Sequence, residues 1–91
     1  MHYRTSSRFD RSVARLDPNR KRAVQDAIAR LVAAFETGQT PLGLGLKQLR
    51  PGLWECRAGL SDRVLFYRTR DAVEFLLAGN HDEIKRFLRT F

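Results

Sequence analysis

Arg57, Arg63, His81 and Glu55 are the residue types that metal-free cleavage of an RNA phosphodiester requires. Attack by the 2′-hydroxyl needs a base for its proton, cations for the charge that builds on the phosphorane, and an acid for the departing 5′-oxygen. Arginine offers a planar, permanently charged fork that grips phosphate in bidentate fashion. Histidine transfers protons near neutral pH, and a carboxylate such as Glu55 can accept one. Lys47 and Arg50 are the nearest further cations, and Tyr67 can stack on a base. Each residue also has a plainer reading. Arg63 can pair with Asp62 or Glu55, Glu55 can serve as partner of Arg57 or Arg63, His81 can be a helix cap, and Tyr67 a half-buried strand residue. Cys56 is the only cysteine and stands in no metal-ligand spacing, so neither zinc nor thiol catalysis is expected, and no cofactor.

These side chains must be brought together by strands. Leu53 to Ala58, Arg63 to Thr69 and Val73 to Ala78 are apolar-rich runs separated by Gly59–Asp62 and Arg70–Asp71, spacings that suit an antiparallel meander. Alternation places Leu53, Glu55 and Arg57 on one face and Trp54, Cys56 and Ala58 on the other. Pairing Gly59 with Arg63 puts Arg63, Leu65 and Tyr67 on the face of Glu55 and Arg57. Pairing Gly59 with Asp62 splits the arginines, because a one-residue slip turns every side chain over.

Ahead of the meander, residues 2–6 read as a short strand, and Phe9, Val13 and Leu16 as the stripe of a short helix. Asp17 reads as the N-cap and Pro18 as the first residue of a second helix, with Val24, Ile28, Leu31 and Phe35 buried and Gly38 closing it. Gly38 to Gly45 reads as loop. A last helix, capped by Asn80 or His81, carries Asp82 and Glu83 in its first turn and an apolar face of Ile84, Phe87, Leu88 and Phe91. The expected order is β-α-α-β-β-β-α, an α+β fold in which a helical hairpin covers one face of a small antiparallel sheet and leaves the other partly open. The apolar face of the last helix then docks either on that sheet or on a partner.

Ninety-one residues bound the chain to a single domain, 1–91, and exclude a large cofactor fold. Seventeen basic against ten acidic residues leave a charge of +7, and fourteen of the seventeen are arginine, which points to nucleic acid or an acidic protein as partner. A lone cysteine and a polar Met1-His2-Tyr3-Arg4 start suit a cytoplasmic protein. No apolar run approaches the roughly 20 residues of a membrane span.

Read in order, Lys47-Gln48-Leu49-Arg50, then Gly52 to Arg57, then Asp62 to Tyr67, then His81 just past a third strand resembles the RelE/ParE superfamily of bacterial type II toxins, over nearly the whole chain. The resemblance implies a toxin neutralised by a cognate antitoxin. RelE-like members cut mRNA on the ribosome without a metal, whereas ParE-like members inhibit DNA gyrase. It places Arg63 and Arg57 at the family's two hairpin arginines and His81 at a position that assists the leaving group. Asp82-Glu83 stands where some members carry a tyrosine or paired lysines, and Glu55 where some carry a hairpin lysine. The expectation is a RelE-like mRNA endonuclease with Arg63, His81, Arg57 and Glu55 catalytic and Lys47, Arg50 and Tyr67 on RNA. Ile84, Phe87, Leu88 and Phe91 would meet an acidic antitoxin in a hetero-oligomer. A gyrase inhibitor without nuclease activity, or a decayed site that only binds antitoxin, are the alternatives.

Overall fold

The computed structural model describes residues 1–39 and 42–91; Thr40 and Pro41, inside the loop expected from Gly38 to Gly45, lie outside the described residues. The elements are β1 (His2–Thr5), α1 (Ser7–Ala14), α2 (Pro18–Thr37), β2 (Lys47–Arg50), β3 (Leu53–Ala58), β4 (Asp62–Arg68), β5 (Ala72–Asn80) and α3 (His81–Leu88). They form one five-stranded sheet in the order β1-β5-β4-β3-β2.

The helix ends follow from their capping residues. Asp17 accepts the Arg20 N–H at 2.9 Å, Pro18 supplies a preset first φ, and Gly38 closes α2 at φ 71°, a left-handed geometry that costs glycine little. Ser6 does the same work for α1 by accepting the Phe9 N–H at 3.0 Å. Helix α1 also replaces a strand. β1 pairs with β5 only as far as Thr5–Phe75. Beyond that point the Ala78 N–H donates to Ser12 Oγ at 3.0 Å and Ser6 Oγ donates to the Leu76 carbonyl at 3.3 Å. Side chains of the chain leading into and through α1 thus satisfy an edge that would otherwise be bare.

The α+β architecture is the expected one, with two additions. Lys47–Arg50 is a fourth strand of the meander; with only Leu49 and a β-bulge, it is too short and polar to show alternation. β1 runs parallel to β5, so the sheet is mixed, antiparallel through β2–β5 and parallel at its other edge.

One face of the sheet carries Cys56, Val64, Phe66, Val73, Phe75 and Ala78 against Phe9, Leu16, Val24, Ala27 and Leu31. Trp54 packs there too, so Trp54 and Cys56 lie under the helices as alternation expects. The opposite face is closed by α3. Ile84 and Phe87 pack on Leu53, Leu65, Leu76 and Leu77. A bulge between Leu65–Leu77 and Phe66–Phe75 turns both Leu76 and Leu77 toward α3, which is why β5 is apolar without interruption from Phe75 to Ala78.

Of the two docks open to the last helix, the sheet is the one taken, which corrects Ile84 and Phe87 as antitoxin contacts. Ile84 and Phe87 are 1% and 8% exposed on their own sheet, so they offer no free face to a partner. Burying such side chains gains about 1.5–3 kcal/mol each, enough to favour the intramolecular dock. Leu88 is half-buried, and Phe91, stacked on Phe87 with ring centroids 5.4 Å apart, stays at the surface. No described helix is long and apolar enough to cross a membrane.

Candidate active site

The β3–β4 turn decides which side chains meet. Ala58 opposes Asp62 and Arg57 opposes Arg63, leaving Gly59, Leu60 and Ser61 as the loop, with Gly59 at φ 69°. This register shares the parity that joins the arginines, displaced by one residue on each strand from the Gly59–Arg63 alternative. Arg57 and Arg63 therefore emerge side by side on the α3 face. Arg63 also opposes Gly79, one residue before the Asn80 cap of α3. His81, the first residue of that helix, consequently stands over the end of the same strands. Arg57, Arg63 and His81 line one open pocket together with the Gly59–Asp62 turn.

Two cations opposed across a strand pair repel, at a cost of roughly 0.2–1 kcal/mol. Glu55 relieves this: Arg63 Nη1 donates to Glu55 Oε2 at 2.8 Å, and Glu55 is 6% exposed. The carboxylate beneath Arg63 is thus spent on holding that guanidinium and lies outside the pocket wall. Arg57 has no carboxylate within 4 Å among the described residues. Its N–H donates to the Leu44 carbonyl at 2.6 Å, and its aliphatic stem lies on Gly45, where a Cβ would approach Arg57 Cγ to 3.0 Å. Gly45 thus leaves room for the stem, and the Arg57 head remains free for an anion.

The pocket's rim is anchored from behind. Arg20, in the first turn of α2, grips Asp62 with two hydrogen bonds of 2.8 and 2.6 Å, and the Asp62 side chain is 1% exposed. That charge-assisted bidentate contact drives the Arg20 pKa further up. On the other side, Asn80 and Glu83 form a reciprocal capping box, the Glu83 N–H donating to Asn80 at 2.9 Å and the Asn80 N–H to Glu83 at 3.0 Å. Gly79 makes this possible, since a Cβ there would sit 2.9 Å from Glu83 Oε1. His81 is thereby fixed at an ordered helix start.

No protein-family model and no curated protein sequence matches the chain. Solved structures do. YafQ from E. coli aligns with a TM-score of 0.64 and 15% identity, covering 90% of this chain and 94% of that one. The toxin in a RelB–RelE antitoxin–toxin complex from Methanococcus jannaschii aligns at 0.67 and 10%, over 91% and 95%. An archaeal RelE–RelB complex from Pyrococcus horikoshii OT3 gives 0.66 and 13%, over 87% and 92%. The fold is that of the RelE-like toxins. At these identities the likeness is one of architecture.

On this RelE-like frame the expected site residues divide. Arg57, Arg63 and His81 converge, whereas Lys47, opposite Glu55 on the edge strand, is exposed and lies outside the pocket lining. Glu55 as a proton acceptor is corrected to an ion-pair partner, because burial and Arg63 occupy it. Arg50 is corrected as an RNA contact: it donates to the Leu88 carbonyl at 3.0 Å and the Phe91 carbonyl at 3.4 Å, capping the end of α3 as a cation should. Tyr67 opposes Leu53 and lies on Gly52, where a Cβ would meet the ring at 2.8 Å. Four residues of strand, about 13 Å, separate it from Arg63, so it lies outside the pocket. The Arg20–Asp62 pair escaped sequence reading because nothing local links two positions 42 apart. Cys56 is fully buried and its thiol is pushed up to about 12 by desolvation and then by the Glu55 charge, which leaves it inert.

Proposed function

We propose that the chain is the toxin of a type II toxin–antitoxin pair and acts as a ribosome-dependent, metal-independent mRNA endonuclease. The observation that carries this reading is the convergence of Arg57, Arg63 and His81 on one open pocket of a RelE-like fold. Arg57 and the outward N–H groups of Arg63 hold the scissile phosphate. The 2′-oxygen attacks phosphorus, its proton passing to solvent, and the bond to the 5′-oxygen breaks as protonated His81 donates to it. The products are a 2′,3′-cyclic phosphate and a 5′-hydroxyl. The pocket supplies two cations and one proton-transfer group, so one proton of the two is left to water or to the ribosome. Dependence on the ribosome is consistent with that shortfall.

An acidic antitoxin fits a partner surface of +7 net charge, as do the RelB–RelE complexes of the same fold. With Ile84 and Phe87 covered, such a partner would meet Leu88, Phe91 and the arginine-rich helices in a hetero-oligomer. The setting would be the cytoplasm. Brief induction in growing cells, with translation and DNA supercoiling followed separately, tests the reading. Translation should stop with transcripts cut inside reading frames and supercoiling unchanged. Intact transcripts with gyrase-dependent DNA damage would replace it by gyrase inhibition, and intact transcripts with neither effect by antitoxin binding alone.

A further inference from the structure

A second cationic recess lies between the α1 segment and α3. Arg8 and Arg15 from the α1 segment and Arg86 from α3 border a small cleft of about 110 Å³ floored by Ser12 and Phe87. None of the three guanidinium groups has a carboxylate within 4 Å among the described residues. Glu83 also borders the cleft, but its Oε1 is engaged by the Asn80 N–H in the capping box. The cleft therefore keeps a formal surplus of two positive charges. Arg8 is held in place with its guanidinium carbon 4.8 Å from the centre of the Phe87 ring. Ser12 is satisfied by Phe9 and Ala78, so its hydroxyl asks for no further partner.

We infer that this cleft is a phosphate-binding subsite for a single-stranded RNA that also occupies the Arg57–Arg63–His81 pocket. Three convergent arginines suit a phosphate, whose oxygens accept bidentate contacts from several directions. The volume is too small to seat a docking helix, which is about 10–12 Å across, and this argues against the cleft as the seat of a folded protein element. Its position supplies the continuity: His81 borders the pocket and Glu83 borders the cleft on one turn of α3, so a strand passing over that turn meets both. The inference rests on the nuclease reading for its RNA, yet it is read by binding rather than by cleavage.

The test is anisotropy titration of the full chain with a short fluorescein-labelled 2′-O-methyl oligoribonucleotide, which resists cleavage, between about 50 and 200 mM salt. Arg15→Ala and Arg86→Ala remove exposed side chains that carry no fold contact to a carboxylate. Each should weaken binding roughly three- to tenfold and flatten the slope of log K against log salt by about 0.7. Glu83→Gln keeps an acceptor for the capping box and removes the opposing charge, so it should tighten binding. Wild-type affinity and slope in the Arg15→Ala/Arg86→Ala double variant would overturn the inference. So would an absence of RNA binding by the wild-type chain, or a loss confined to binding of an acidic antitoxin peptide. Failure of ribosomal cleavage with these binding shifts intact would strike the nuclease reading and spare the cleft.

Discussion

Arg57 and Arg63 face each other across one strand pair but are tied to different things, and their substitution should therefore differ in kind. Arg57 and His81 are exposed and, among the described residues, unpaired with carboxylate, so alanine at either should leave stability within about 0.5 kcal/mol of wild type. Loss of transition-state charge stabilisation at Arg57 should cost on the order of 10²–10³ in cleavage rate, the scale of a lost oxyanion donor. Loss of proton transfer from His81 should cost about 10²–10⁴. Arg63→Ala should do both kinds of damage. It strands the buried Glu55 carboxylate, and a thermal melt should show about 1–3 kcal/mol of destabilisation that Glu55→Gln in the same chain partly restores. An Arg63→Ala melt that matches wild type would show the ion pair to be incidental. Cys56 gives a separate check on the packing. A thiol that titrates at about 12 and is fully buried should resist alkylation in the native chain at pH 8 and react on unfolding; rapid native modification, read by mass, would mean that the core opens.

Two long-range tethers hold the elements in register. Arg20→Ala removes the cation that grips Asp62, at the corner where β4 begins opposite Asn80. Breaking a buried pair costs 3–5 kcal/mol, and with Arg20 38% exposed a loss of about 2–3 kcal/mol is expected, lowering Tm by roughly 10 °C or more. The second tether joins β1 to the end of α2 through the Tyr3 hydroxyl, which donates to Glu36 at 2.6 Å. Desolvation, the hydrogen bond and the Glu36 charge raise Tyr3 from 10.0 to about 12. The unfolded chain ionises first, so this contact contributes fully below pH 10 and is lost as pH climbs to 12. Tyr3→Phe should flatten the decline of stability across that window, and an unchanged decline would mean the tether is absent in solution.

The elements that were legible in the sequence are those with a local physical signature. Asp17-Pro18 and Gly38 bracket α2 because capping and left-handed geometry demand those types. The three apolar runs became β3, β4 and β5 within two residues at each end. What escaped was set by distant partners. Lys47–Arg50 becomes a strand because β3 offers it an edge, β1 turns parallel because its free partner is the last strand, and α3 docks inward because Leu65, Leu76 and Leu77 await it. At the site, the residue types of Arg57, Arg63 and His81 could be read, but the parity that joins the two arginines could not, because the spacing fits either hairpin register. The sequestration of Glu55, the diversion of Arg50 to the α3 terminus and the remoteness of Tyr67 required the register.

At the scale of the whole molecule, a chain of net charge +7 carries a pocket lined by Arg57, Arg63 and His81, which in the proposed reading binds a phosphate and moves one proton. Such a charge should steer an acidic antitoxin and an RNA alike, with association that slows as salt rises. The central claim is that the pocket cuts RNA when the ribosome presents it. The most direct measurement is end-mapping of a defined mRNA in a purified translation system, comparing wild type with His81→Ala and Arg57→Ala chains of unchanged Tm. The account predicts new 5′-hydroxyl ends within the reading frame for wild type, at ribosome-occupied positions only, and their loss by at least about 10² in both variants. Uncut message with wild-type chain, or equal cutting by the His81→Ala and Arg57→Ala chains, would contradict it.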